Sequence, residues 1–167
     1  HGQTDLNRLN KYTGVLDYPL NILGIEQCIN AKKTIDILDI KKVYSSSLLR
    51  AKQTAKLVID KKAIILKELD ERDFGILAGL KKVNYKKNFF PKGESNYRLK
   101  NRVSKVFKKI ELENKSLIVS HSRVFKTICE ILQIKTNSIK NCEIVKFKEI
   151  IKDNWKVITI NQEEFYL

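Results

Sequence analysis

Methionine is absent from this chain of 167 residues, proline and histidine occur only twice each, and tryptophan once. A sequence without methionine that opens on His1 is expected to have been preceded by other residues in the translated protein, so whether a targeting segment exists is not read from it. With two prolines, six glycines and no Gly/Ser-rich stretch there is no linker, and one domain over 1–167 is expected. No apolar run approaches the ~18 residues of a membrane-spanning helix. Internal repeats and low-complexity tracts are also missing. The three cysteines, Cys28, Cys129 and Cys142, are odd in number and form no CxxC, which argues against a disulfide framework and against a zinc site. Cys28 and Cys129 read as core positions on helix faces, and a reducing, cytoplasmic compartment fits best.

Acidic residues are in the minority, 19 against 33 basic ones, for a net charge of +14. Only Arg8, Arg50, Arg72, Arg98, Arg102 and Arg123 are arginines; the rest are lysines spread widely along the chain. Nucleic-acid binders more often cluster both. The charge therefore reads as a solvated surface whose positive field also favours acidic, phosphorylated substrates.

Apolar spacing predicts helices over Asn21–Ile40 (Ile22, Ile25, Ile29 and Ile37 as its apolar face, Asn21 as N-cap), Leu48–Ile59, Tyr97–Leu112 and Val124–Leu132. Strands are predicted at 42–46, 63–66 (buried), 116–120, 143–147 and 156–160. Alternation of the two predicts an α/β three-layer sandwich, a mostly parallel central sheet with helices on both faces. Such sheets deliver functional groups at strand carboxyl ends. Ser45-Ser46-Ser47 and Arg50 follow one strand and His121 follows another, which marks a site. Arg50 can fork onto two phosphate oxygens, and an imidazole neutral near pH ~7 is a competent nucleophile toward phosphorus.

Five segments in register carry a resemblance. They are His1-Gly2-Gln3-Thr4 with Asn7; Thr13-Gly14 with Asp17, Pro19, Leu20, Gly24 and Gln27; Ser46-Ser47-Leu48 with Arg50, Ala51, Thr54 and Ala55; Glu71-Arg72-Asp73-Phe74-Gly75 with Gly79; and Gly93-Glu94-Ser95 with Arg102, followed by Ile118-Val119-Ser120-His121. The chain resembles the histidine phosphatase (phosphoglycerate mutase-like) superfamily, branch 1, across nearly its whole length. The resemblance implies His1 as phosphohistidine nucleophile, Arg50 and His121 as donors to the phosphoryl group, and Glu71 as general acid. It further implies substrate or phosphate contacts from Gly2, Asn7, Thr13, Gly14 and Ser122. No metal or other cofactor is expected. The expected partner is a small phosphorylated metabolite, with no nucleic acid and no membrane; a homodimer is left open. Taken singly, His1 reads as a surface terminus, His121 as a core histidine, Arg50 as a cap, and Glu68 competes with Glu71. Yet the only two histidines occupy both histidine positions of the family.

Three departures stand out. The arginine that precedes the nucleophile in the family is absent, with the strand that bears it; Ser122 replaces a glycine; and Lys11 stands where mutases often carry arginine. The short stretch Leu80–Lys92 favours a phosphatase over a mutase, with an inactive phosphate-binding relic as a third reading. Lys81, Lys82, Lys86, Lys87 and Lys92 form a lid over anionic substrates or a solvated loop. Residues 1–167 alone are expected to hydrolyse a generic phosphate ester weakly beside a longer chain that restores the arginine and its strand. Equal rates would contradict this.

Overall fold

Val43 and Tyr44 are adjacent in the chain yet feed opposite layers, because successive strand residues point to opposite faces. The computed structural model describes residues 1–83, 90–110, 115–151 and 154–160. Within them, β1 (Lys42–Ser45) lies between β2 (Ile64–Ile65) and β3 (Ser116–Val119), all parallel, with Val43 opposite Leu117 and Tyr44 opposite Ile118. Val43 and Leu117 meet α2 (Ile22–Asp36) and α3 (Leu49–Val58) through Cys28, Ala31, Ile35 and Val58. Tyr44 and Ile118 meet α4 (Asn96–Lys109) and α5 (Ser122–Ile131) through Leu99, Val103, Val106, Val124 and Ile128. The result is the α/β sandwich with helices on both faces of a parallel sheet. Each fully buried aliphatic side chain in these layers contributes about 1.5–3 kcal/mol.

Several elements differ from the sequence reading. The helical period of α2 is right, but its apolar stripe faces outward: Ile22, Ile25, Ile29 and Ile37 are exposed, while Gly24, Cys28, Ala31, Thr34 and Ile35 are buried. Small residues, not large ones, let this helix approach the sheet and the chain start. Cys28 and Cys129 are core residues as expected. The 63–66 strand shrinks to Ile64–Ile65, and both residues are about half exposed because β2 is a sheet edge. The last two strands, β4 (Val145–Ile151) and β5 (Asn154–Thr159), pair antiparallel as a separate hairpin. Among the described residues β3 pairs only with β1, and β4 only with β5. Leu112 lies outside the described residues. No helix among those described is long and apolar enough to cross a membrane.

Asn21 caps α2 as predicted, its side chain accepting from the Gly24 N–H at 2.8 Å. One turn into that helix, Gly24 meets the chain start backbone to backbone: an added Cβ would lie 2.1 Å from the Gln3 oxygen, and one on Gly2 would lie 2.4 Å from the Gly24 oxygen. The close crossing seats His1–Gln3 on α2. Gly24→Ala is therefore expected to destabilise by about 1–3 kcal/mol, read by urea unfolding. Ile25→Gln, on the exposed face, should change stability by no more than about 0.5 kcal/mol. The reverse order would contradict the inverted face.

Candidate active site

Register decides which groups meet. Because β1 and β3 run parallel with Ser45 opposite Val119, the residues just beyond them, Ser46 and His121, emerge side by side; the Ser46 N–H donates to the Val119 oxygen at 3.0 Å. His121 Nε2 lies 2.8 Å from Ser46 Oγ. The edge strand β2 leads into a short turn, Lys67–Leu69, that delivers Asp70 and Glu71 at the same end. Ser120 Oγ donates to the Leu69 oxygen at 2.7 Å and ties the two connections together.

His1 reaches the same strand end, its terminal ammonium donating to the Ser120 oxygen at 3.4 Å. Its ring centroid is 4.9 Å from that of His121, at an interplanar angle of 57°. Its Nδ1 lies 2.7 Å from the Gly2 oxygen. A carbonyl only accepts, so Nδ1 carries the hydrogen and Nε2 of the neutral ring keeps its lone pair. The backbone around it is tied down: the Gly2 N–H donates to Thr54 Oγ1 at 3.0 Å, and the Cys142 N–H donates to the His1 oxygen at 2.9 Å. The Cys142 thiol sits 3.6 Å from that of Cys28, and all three cysteines are free.

Arg50 is buried to 1% exposure. It donates through Nη1 to the Leu16 oxygen at 2.9 Å and through Nη2 to the Gly14 oxygen at 2.7 Å. Its Nε has no partner among the described residues, and neither has Nδ1 of His121. A buried polar atom without a partner costs about 1–3 kcal/mol, so a guanidinium N–H and an imidazole nitrogen left this way mark a place for a polar ligand. Burial lowers the Arg50 pKa, with Glu71, Asp17 and Asp70 drawing it back up. Glu71 is itself buried, and burial raises its carboxyl above the usual range; the backbone of Arg72, the charge of Arg50 and the backbone and charge of Arg123 oppose this. Burial, then the Arg50 charge, hold His121 well below the ordinary histidine value. The imidazole of His121 is thus neutral, and the acid of Glu71 is biased toward its protonated form.

The acid loop has its own frame. Arg102 forks onto Glu94 at 2.6 and 2.8 Å and donates to the Glu68 and Glu71 oxygens at 2.7 and 3.3 Å. Gly75 takes φ +55°, and a Cβ there would lie 2.1 Å from the Pro91 oxygen. A cavity of about 450 Å³ opens beside Glu71, lined among others by Asp70, Asp73, Lys92, Arg98 and Arg102. Glu68 lies on this rim with Glu71; Glu71 alone is the buried one.

Of the sequence-derived residues, His1 and His121 are in ring contact, and the charge of Arg50 acts on both Glu71 and His121. The others serve the frame. Asn7 closes a capping box with Thr4 and donates to Thr13 Oγ1 at 3.4 Å. The Gly14 carbonyl holds Arg50, the Gly2 amide is taken by Thr54, and Ser122 is exposed at the start of α5. In the lysine-rich stretch, Lys81 bridges to Lys11 and the exposed Lys82 and Lys92 lie near Glu71; Lys86 and Lys87 lie outside the described residues. Sequence reasoning missed Arg123 and Asp70. Arg123 follows two residues after His121, and Asp70 directly precedes Glu71, so proximity to a known motif was the available signal.

Two facing imidazoles, a buried guanidinium and a buried carboxyl at the carboxyl ends of a parallel sheet are the groups that phosphoryl transfer through histidine requires. The chain belongs to the histidine phosphatase superfamily (branch 1), whose sequence profile matches residues 1–163. It is 39% identical over 90 residues to the 2,3-bisphosphoglycerate-dependent phosphoglycerate mutase of Rhizobium etli, covering 49% of this chain and 43% of that one. With the mutase of that name from Protochlamydia amoebophila the identity is 44% over 59 residues, covering 35% and 26%. The chain thus spans less than half the length of these mutases. A Bacillus subtilis protein named uncharacterized phosphatase PhoE is 30% identical over 131 residues, covering 72% of this chain and 68% of that protein. Among solved structures, a phosphoglycerate mutase from Thermus thermophilus matches with a TM-score of 0.74 at 27% identity, covering 87% of each chain. A candidate alpha-ribazole-5'-P phosphatase from Escherichia coli shares the fold with a TM-score of 0.81 at 22% identity, covering 97% and 93%.

The raised pKa of Glu71 has a sign that can be measured. The folded state favours the protonated acid, so stability is full at low pH and is lost as pH rises through the raised value. Glu71→Gln, a permanently neutral mimic, should leave Tm nearly unchanged at acid pH. At mildly alkaline pH it should raise Tm, by about 2–4 °C per kcal/mol recovered. A fall in Tm at alkaline pH would show that attraction to Arg50 outweighs burial.

Proposed function

We propose that this chain is a phosphohydrolase acting on phosphate monoesters of small metabolites through a phosphohistidine on His1. The observation that carries the reading is the meeting of a lone-pair nitrogen on His1 with two buried, unpartnered nitrogens, Nε of Arg50 and Nδ1 of His121. Nε2 of His1 attacks phosphorus and the ester oxygen leaves, taking the proton of Glu71. The resulting carboxylate then removes a proton from water, which attacks the phosphohistidine and releases phosphate and free His1. Arg50 and His121 bind the equatorial oxygens, where charge develops. The ligand is a small phosphorylated metabolite in a reducing, cytoplasmic setting.

A second reading, a 2,3-bisphosphoglycerate-dependent mutase, is favoured by the identity to the mutases named above. The two differ only in the acceptor: water for a phosphatase, a second hydroxyl of the substrate for a mutase. Incubation with 3-phosphoglycerate followed by phosphorus NMR separates inorganic phosphate from 2-phosphoglycerate.

Leaving-group dependence tests the role of Glu71. Glu71→Gln should lower kcat/KM for an alkyl phosphate by about 10²–10⁴-fold. For p-nitrophenyl phosphate, whose leaving group needs no proton, the loss should be far smaller. Equal losses on both esters would remove Glu71 from the general-acid role.

A further inference from the structure

Ser46 and Asp70 are the buried polar residues at the strand ends that the proposed chemistry leaves unused, and hydrogen-bond accounting gives them a role. The Asp70 carboxylate receives Ser46 Oγ at 2.7 Å, the Ser47 N–H at 2.7 Å and Ser47 Oγ at 2.9 and 2.7 Å. An ionised carboxylate only accepts, so the single hydroxyl hydrogen of Ser46 is committed to it. Ser46 Oγ is then left with lone pairs alone; one accepts the Leu48 N–H at 3.2 Å, and the other faces His121 Nε2 at 2.8 Å. For that contact to be a hydrogen bond, Nε2 must carry the hydrogen. In the neutral ring the lone pair then falls on Nδ1, a buried atom with no partner among the described residues.

We infer that Asp70 and Ser46 form a positioning pair that holds His121 as its Nε2–H tautomer, so that His121 enters the phosphoryl-bound state by taking a proton onto Nδ1. The inference deepens the reading of His121 as a phosphoryl donor and rests on it. A ring with a lone pair on Nδ1 repels a phosphate oxygen; a ring protonated at both nitrogens donates to it. The proton travels with the ligand: a monoanionic phosphate ester gives its acidic hydrogen to Nδ1, and the bound pair is a dianion beside an imidazolium, with no proton gained or lost overall. Burial, Arg50 from α3, the terminal ammonium of His1 and Arg102 from α4 disfavour the imidazolium, and the His1 ring lies against it. The arriving dianion reverses that balance. The site would thereby bind phosphate monoanion plus its proton as a unit and discriminate against sulfate, a dianion of similar shape with no proton to deliver.

The test needs no turnover. With only two histidines in the chain, long-range proton–nitrogen NMR of uniformly nitrogen-labelled protein resolves both rings, and His1→Asn assigns the His121 signals. Expected for the free protein is a His121 ring with a protonated Nε2 and a bare Nδ1, converting to two protonated nitrogens on addition of inorganic phosphate. Ser46→Ala should abolish the tautomer preference and weaken phosphate binding about tenfold, the scale of one hydrogen bond to a charged ring. Ser46→Thr, which keeps the hydroxyl, should restore both, and Asp70→Asn should weaken the preference without removing Ser46. The free protein with its hydrogen on Nδ1, or Ser46→Ala with tautomer and affinity unchanged, would overturn the inference. Phosphate that leaves both rings unperturbed would instead sink the reading of the site as a phosphoryl pocket.

Discussion

Arg50 holds a guanidinium charge almost completely out of water, and its surroundings neutralise it only in part. Two backbone carbonyls take its Nη atoms, Asp17 and Asp70 supply opposing charge, and Nε has no partner among the described residues. Burying a charge is costly unless it is paired and hydrogen-bonded. Much of the fold is devoted to making that burial tolerable. The Thr13–Leu16 turn presents carbonyls inward, Asp17 accepts from the first amide of α3, and the helix buries Arg50 along with Ala51 and Ala55, which pack against Val119. On the proposed function a phosphoryl dianion completes the set, and ligand binding and the stability of this region should then be coupled.

How far the sequence was legible depends on the kind of constraint. The places of three groups were readable: His121 at a strand end, Arg50 at a helix start, Glu71 ahead of the Gly75 turn. Faces were not. In α2 the large apolar residues Ile22, Ile25 and Ile29 point outward because the inner face must approach the His1–Gln3 backbone, a requirement that only Gly24 and its small neighbours satisfy. Periodicity locates a stripe; it does not say whether the larger or the smaller residues pack. Ile64 and Ile65 mislead similarly, since β-branched residues suit an exposed sheet edge as well as a buried strand. The Asp70–Ser46–His121 chain was out of reach, because it depends on β1 and β3 lying side by side in one register across a separation of 75 residues.

The charge of +14 acts at two ranges. Nearby, Arg123 and Lys82 add to Arg50 around Glu71, and burial with the charge of Arg50 favours the neutral ring of His121. Farther out, lysines on the surface raise the encounter rate for anions without selecting among them. Asp73, Lys92, Arg98 and Arg102 line the cavity beside Glu71; on the proposed function, water and a second substrate hydroxyl would compete there for the phosphohistidine.

The most direct measurement is to trap the intermediate. Brief incubation with a radiolabelled phosphate ester, alkaline quench and peptide mapping should find phosphate on His1, stable in base and lost in acid as a phosphoramidate is. The label should disappear in His1→Asn and persist longer in Glu71→Gln. Label on His121, on a serine, or on no residue while phosphate is still released would contradict the account.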